Sequence, residues 1–496
     1  MSEHYDLSKP TDALLPFDQD EEEFLPRKRR KMHWFPKILT GVLLLCTIFV
    51  AMYFFLSGRI QGLIGMSVDE KAPTKSLSSS SVLLGSNATL LFRENLLPTH
   101  KYVTAFTTAG FTNQVMEAVN LIYLATLAGR TPIIPPLLPS HFGKLDTVAP
   151  MNFGDVFDIP RLAAKLGSPV LEWREVKSIT YSNNSGTAPK TEEIGCWSTG
   201  AGNKASGGRP AISLVPEVLN LDVSYTPVPS TFTLSHGAEQ RDYVWSIWAL
   251  ASLSFPESRQ RQLDWQRPHI LPALSGSGKK IDPDDQLLCF DLLYYTGVME
   301  PAPAMDFFAE YSPFWSLVGT HLHWRPSLLE LANQYLRRHF KVAENNPIPP
   351  FISVHVRRTD FEGGCYTEKD REKCFAPVKA YERRVNEIKR GLLARPNGVN
   401  VTKVLVTSDE RDPKWWDQVA ALGPEWGWID HDSEQTVQKH SKWFPLILDA
   451  MFQSMGAGFV GTEQSTMSHI ARKRVQDWQG GLGVEVRWGD PNADNH

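Results

Sequence analysis

Phe351-Ile352-Ser353-Val354-His355-Val356-Arg357-Arg358-Thr359-Asp360 is a short apolar strand that ends in a cluster of charge. Ile352, Val354 and Val356 alternate, as they do in a strand with one face in a core. His355, two arginines and an aspartate then fall within six residues. Adjacent guanidiniums are costly to bury unless an anion meets them, and the planar fork of Arg fits phosphate oxygens. Taken alone, the stretch reads as a salt-bridged surface turn. Its surroundings change that reading.

Downstream of Pro349-Pro350 the pattern alternates regularly between strand and helix. A helix is predicted over 377–394, and a strand over 403–407 runs into Ser408-Asp409-Glu410. Pro413 opens another helix, and 444–455 reads as a strongly apolar one. A strand over 459–462 stops at Glu463-Gln464-Ser465-Thr466, where a last helix begins. Strands that alternate with helices and end in polar residues predict a parallel, doubly wound sheet.

Upstream, Tyr102 to Phe106 reads as a strand, Thr107 to Gly110 as a small-residue turn, and Thr112 to Ala128 as a helix. Gly129 is its expected terminator, and Thr131 to Ile134 a second strand closed by Pro135-Pro136. This is a βαβ opening with glycine at the strand-to-helix junction, where α/β sheets bind ligands. Between about 140 and 345 only fragments are legible. Ser198 to Gly208 reads as a loop, and Arg241 to Leu253 and Ser327 to His339 as helices. The fold class that follows is α/β, with two doubly wound lobes at 100–345 and 346–496 and a cleft between them.

The chain has 496 residues, 42% hydrophobic and 21% charged, with a net charge of −4. Those values are ordinary for a globular protein and give no support for nucleic-acid binding. Residues 38–58 contain no charged side chain before Arg59, long enough for a membrane-spanning helix. Arg27-Lys28-Arg29-Arg30-Lys31 precedes it, with Trp34 and Phe35 at interface level. The positive-inside rule then predicts a cytosolic tail at 1–37, a single-pass type II anchor and a lumenal remainder in the Golgi or endoplasmic reticulum. A cleaved signal peptide is the competing reading, and the late, long apolar run argues against it. Residues 59–99, with Ser78-Ser79-Ser80-Ser81, read as a stem. Sequons at Asn87, Asn183 and Asn400 fit a lumenal location. Cys46 falls in the anchor, leaving Cys196, Cys289, Cys365 and Cys374 with three possible pairings. Cys365 and Cys374 bracket a short charged loop, which favours that bridge and leaves Cys196 with Cys289.

Three strand ends of the second lobe should converge by this topology: Arg357 with Arg358, Asp409, and Thr462 to Thr466. Arginine would neutralise a diphosphate leaving group. A carboxylate at Asp409 would accept from the N–H donors of a guanine edge. Ser465, Thr466 and the N–H groups of the last helix would form an anion site. Each residue has a structural alternative as an N-cap or turn former, and the convergence is what favours binding.

The string Val354-His355-Val356-Arg357-Arg358-Thr359-Asp360 resembles the donor-site motif of the GDP-fucose fucosyltransferase superfamily, which includes protein O-fucosyltransferases and core α1,6-fucosyltransferases. Ala109-Gly110-Phe111-Thr112-Asn113-Gln114, with Gly129-Arg130-Thr131 after it, resembles the first motif. Ser408-Asp409-Glu410 and Gly458-Phe459-Val460-Gly461-Thr462 through Ser465 resemble the remaining donor-side motifs. The resemblance covers roughly residues 100–475. It implies a GT-B-like fold and metal-independent, inverting transfer of fucose from GDP-fucose, with no cofactor, to a protein or glycan hydroxyl. It implies that Arg357 holds the β-phosphate, that His355, Arg358 and Asp360 shape the donor pocket, and that Asp409 reads guanine. Thr462, Ser465 and Thr466 would bind phosphate, and Gly110, Phe111 and Asn113 would form the facing wall. Thr108 and Ala109 stand where some relatives carry a catalytic glutamate. Glu362, shortly after the arginine motif, and Asn113 acting through a water are the two candidates for that role.

Asp282-Pro283-Asp284 and Asp430-His431-Asp432 match a manganese-placing pattern, but such triplets are common and the first reads as a turn. Gly276-Ser277-Gly278-Lys279-Lys280 lacks the upstream glycine and the Ser/Thr of a phosphate loop. Two further readings stay open: a catalytically silent nucleotide- or glycan-binding relative, and a Golgi sulfotransferase with the same anchor topology.

Overall fold

The computed structural model describes residues 81–179, 191–203, 207–234, 244–273, 277–298, 306–365, 370–490 and 492–495. The anchor at 38–58, most of the stem and the Asn183 sequon lie outside the described residues. Among the described residues no helix is long and apolar enough to cross a membrane.

Two parallel sheets carry the fold. The first has strands β1 (Tyr102–Ala105), β2 (Thr131–Ile134), β3 (Leu171–Glu172), β4 (Glu192–Ser198), β5 (Leu221–Pro227) and β6 (Leu287–Phe290), in the order β3-β2-β1-β6-β4-β5. The second has β7 (Phe351–Val356), β8 (Lys403–Ser408), β9 (Trp426–Gly427), β10 (Gly458–Thr462) and β11 (Leu482–Val486), in the order β9-β8-β7-β10-β11. The strand order of the second sheet reverses between β7 and β10. That crevice is where open α/β sheets bind ligands.

β7 is buried along its whole length, as a strand central to a sheet covered on both faces must be. Each sheet feeds a helix from a central strand. Helix α1 (Phe111–Ala128) follows β1, and its 18 residues end where Gly129 takes φ 60. The apolar stripe expected on one side is wider than that, because α1 is buried nearly all round, including Glu117 and Asn120. In the second sheet, α3 (Val378–Leu393) and α4 (Phe444–Met455) cover the faces, and α5 (Thr466–Gln479) follows β10. Helix α2 (Pro326–Phe340) precedes the second sheet.

One apolar cluster runs through both halves, from Val103 and Phe111 to Phe351, Leu405, Trp443 and Ile470. Tryptophan N–H groups fasten the two halves at its edge. Trp443 donates to the Ala149 carbonyl at 3.0 Å, Trp324 to Ser454 Oγ at 2.8 Å and Trp478 to the Thr320 carbonyl at 2.8 Å. Arg474 is buried against the rings of Phe157, Trp324 and Trp478, with its guanidinium 4.2 Å from the Trp324 centroid. Burial, with no carboxylate to offset it, pulls its pKa down to about 9.

Three sequence expectations need correction. The folded part starts before Lys101, since Val82, Leu83, Phe92 and Leu96 are buried in the core of the first sheet and are not stem. Within the helix expected over 241–253, the described residues form a two-residue strand, Trp245–Ser246, and a short helix, Ile247–Ser252. The loop after Ser198 contains one helical turn, Thr199–Gly202, because buried Asp291 accepts from the Thr199, Gly200 and Ala211 N–H groups. Both expected disulfides are present, Cys196–Cys289 joining β4 to β6 and Cys365–Cys374 closing the loop after the arginine motif.

Candidate active site

The turns from β1 into α1 and from β10 into α5 face a common cleft of about 900 Å³. Each turn has a non-glycine residue in the left-handed region just before the helix cap, Ala109 at φ 59 and Gln464 at φ 65. Such residues cost roughly 1–2 kcal/mol and persist only where their surroundings hold them. The caps themselves, Gly110 for α1 and Ser465 for α5, both line the cleft. Two helix N-termini, the positive ends of their dipoles, therefore meet at one place.

Arg357 lines the cleft, with its side chain 24% exposed. Its Nη2 donates to Asp360 at 2.7 Å and its Nη1 pairs with Asp409 at 3.1 Å. Its backbone N–H donates to Thr462 Oγ1 at 2.9 Å, which ties the end of β7 to the end of β10. Thr462 Oγ1 also meets the Tyr381 hydroxyl at 2.8 Å and is buried. Thr462 thus positions Arg357 from behind and does not line the cleft, contrary to its expected phosphate role.

Asp409 has both oxygens occupied. Oδ1 accepts from the Arg358 N–H at 2.8 Å, and Oδ2 pairs with Arg357 and accepts from the Thr359 hydroxyl. It lies at the cleft as expected, where it meets Arg357 and the Arg358 N–H.

Arg358 departs furthest from expectation. Its side chain is 3% exposed, its Nε donates to buried Glu410 at 2.6 Å, and its Nη2 donates to Glu372 at 2.8 Å. Its guanidinium lies over Phe375 at 4.7 Å. Successive residues of a strand point to opposite faces, so when Arg357 takes the cleft its neighbour is turned away. His355 is also buried, with Nδ1 2.8 Å from Ser468 Oγ. Burial, aided by the Arg357 charge, lowers its pKa to about 3, so it is a neutral packing residue and does not line the cleft.

On the facing wall Asn113 Oδ1 accepts from the Thr466 hydroxyl at 2.9 Å, a direct bond between α1 and α5. Phe111 stacks on Phe157 with centroids 6.4 Å apart and forms part of the floor. Gly110, Phe111, Asn113, Arg357, Asp360, Asp409, Ser465 and Thr466 are therefore brought together as expected. Glu362 is exposed in the turn after the arginine motif and is not among the residues lining the cleft.

Sequence reasoning missed Arg411, His141 and Tyr294 at the cleft. Arg411 follows Asp409 by two residues, and the end of a strand already singled out was the available signal. Its backbone N–H donates to Glu410, the same carboxylate that holds Arg358. Gln114, quoted with the first motif but given no role, holds the loop around Leu138. Its Oε1 accepts from the Leu138 N–H and its Nε2 donates to the Leu138 carbonyl, both at 2.8 Å, and also to the Ala109 carbonyl at 2.9 Å. Buried Glu117 accepts from the Thr108 N–H at 2.9 Å, and burial pushes its carboxyl well above the usual range. It braces the first-motif turn from below.

The Asp-x-Asp triplets lie away from the cleft. Asp282 pairs with Arg267 at 3.0 Å, Asp284 with Arg93 at 2.7 Å, and Asp430 accepts from Ser433 and Asp432 within its own turn. Lys279, in the glycine-rich loop, pairs with Glu193 at 2.8 Å. Asn87 and Asn400 are exposed, as glycosylation would require.

The model of the GDP-fucose protein O-fucosyltransferase family matches residues 102–476, and the chain belongs to that family. It is a GDP-fucose-dependent fucosyltransferase. No curated protein matches it. Among solved structures it is similar to POFUT1 in complex with GDP-fucose, at 15% identity and a TM-score of 0.43, over 79% of this chain and 99% of that one. Fucosyltransferase NodZ from Bradyrhizobium is similar at 14% identity and a TM-score of 0.37, over 80% and 97% of the two chains. These overlaps are too loose to carry the chemistry of the site.

Proposed function

We propose that the chain transfers fucose from GDP-fucose to a hydroxyl of a protein or glycan acceptor, with inversion and without a metal ion. The observation that carries this is Arg357, held in the cleft at the strand-order reversal by Thr462 and Asp409, between the N-termini of α1 and α5. A diphosphate leaving group brings about two negative charges, and positioned donors stabilise such charge as a glycosidic bond breaks. Arg357 already faces two carboxylates, so Arg411 supplies the second cation of the cleft. Ser465 and the first N–H groups of α5 complete the anion site. Guanidiniums and helix ends do here what a metal does elsewhere.

The apolar run at 38–58, the preceding basic cluster and the sequons support a type II protein of the Golgi or endoplasmic reticulum, catalytic part lumenal. The test is a nucleotide panel by thermal shift together with GDP-fucose turnover. GDP should raise the melting temperature in the presence of a chelator, with UDP and a sulfate donor giving no shift. A shift with UDP alone, or one that requires manganese, would contradict the proposal.

A further inference from the structure

An inverting displacement needs a group to take the proton of the attacking hydroxyl, and the cleft's carboxylates do not fit that task. Asp360 and Asp409 are both paired with Arg357. Glu362 does not line the cleft, and Glu117 is buried beneath the first-motif turn. The amide oxygen of Asn113 accepts from Thr466. Tyr294 lines the cleft, but burial raises its phenol further above its already high ordinary value, so it keeps its proton. That leaves an imidazole on the wall facing the arginines.

We propose that His141 is the general base of the transfer, a reading that rests on the fucosyl-transfer function above. His141 is exposed and lines the cleft. Its ring lies against Gly110, where a Cβ would come within 3.2 Å of Cε1 and Nδ1. A side chain at the α1 cap would press on the imidazole, so the first motif and His141 are neighbours across the cleft wall. The loop that carries His141 is built to hold it. Gln114 fixes both backbone groups of Leu138, the Gly143 N–H returns to the Pro139 carbonyl at 3.0 Å, and Phe142 packs edge-on against Trp443 of the other half at 4.8 Å. Gln114 is therefore a positioning residue for the base.

The proton balance is simple. The acceptor oxygen bonds to the anomeric carbon of fucose while the bond from that carbon to the β-phosphate oxygen breaks. The electron pair leaves on GDP, and the hydroxyl proton moves to a ring nitrogen of His141 and then to solvent. The loop that carries His141 also carries Lys144 and Asp146, and the charged groups of the opposite wall are Arg357, Asp360, Asp409 and Arg411.

The experiment uses the full-length protein and reads release of GDP from GDP-fucose with water as acceptor, beside GDP affinity by calorimetry. His141→Gln should lower kcat roughly a hundred- to ten-thousandfold, the range for a lost general base, with Kd for GDP within about twofold. Added imidazole should restore part of the activity of His141→Ala. A kcat within threefold of wild type, a parallel loss of turnover and GDP affinity in both variants, or a folded His141→Ala protein that imidazole does not rescue would overturn the assignment. A wild-type kcat with no solvent deuterium isotope effect would do so even if neither variant folds. A wild-type protein that neither binds GDP nor turns over GDP-fucose would instead defeat the fucosyl-transfer reading.

Discussion

The two walls of the cleft are made in different ways. The wall from the second sheet gathers its residues from three neighbouring strand ends, and two of those ends are charged: Arg357, Asp360, Asp409, Arg411. The wall from the first sheet joins the first-motif turn to His141 and to Tyr294, far along the chain, and it is mostly aromatic and amide. A leaving group of fixed chemistry suits rigid charge at a strand-order reversal. An acceptor is better met by loops, which vary without disturbing a sheet.

If the first sheet depends on long-range closure, its disulfide should matter most to stability. Cys196–Cys289 closes 93 residues and Cys365–Cys374 only 9. Chain entropy predicts that opening the first by paired alanines costs about 4–5 kcal/mol and opening the second about 2–3 kcal/mol. Denaturant unfolding measures both, and equal losses would remove the distinction. The shorter bridge should instead show in GDP affinity, since Cys365 directly follows the turn Thr359–Gly364 that carries Asp360.

The adjacent arginines sharpen the same contrast within one motif. Arg358→Ala removes the buried guanidinium that pairs with the buried Glu410 carboxylate and should destabilise the fold by about 3–5 kcal/mol. Chemical unfolding of the variant reads this directly, and a loss under about 1 kcal/mol would mean that Arg358 is not structural.

Protonation of His355 comes next. Its folded pKa is depressed to about 3 against an ordinary value of 6.5. The unfolded chain therefore binds the extra proton first as pH falls. Its contribution is complete above pH 6.5 and is lost progressively below it, by up to about 1.4 kcal/mol per pH unit. His355→Asn should flatten the slope of unfolding free energy between pH 6.5 and roughly 5. An unchanged slope would show that His355 titrates normally.

The smallest effect is expected where the walls touch. Thr466→Ala removes one hydrogen bond to Asn113, worth about 1 kcal/mol. It should lower turnover more than stability, and Asn113→Ala in the same background should add little. Additive losses in this double-mutant cycle would mean the two side chains act separately.

These differences explain what the sequence made legible. Three strands of the second sheet, β7, β8 and β10, could be read because each is an apolar run ending in polar residues, whereas the edge strands β9 and β11 were not read. β4, β5 and β6 escaped notice because the described segments between them are loops and short helices, and the longer helix among them, Pro256–Gln266, buries only Leu263 and so carries no apolar stripe to follow. Residues that follow a strand end, Arg357, Asp409 and Ser465, do line one cleft, although Asp409 meets Arg357 there. The site was misread at Arg358, which is turned away from the cleft beside Arg357, and at His355, which lies within β7 and meets Ser468 of α5. His141 sits on a turn in the stretch where no pattern was legible, and only the close approach of Gly110 reveals it.

The account stands most directly on calorimetric titration of GDP into wild-type and Arg357→Ala protein, with chelator present throughout. Wild type should bind, and the variant should bind about a hundredfold more weakly, as the loss of two charge-assisted bonds implies, with its melting temperature nearly unchanged. Equal affinity in the two proteins would contradict the assignment of the cleft.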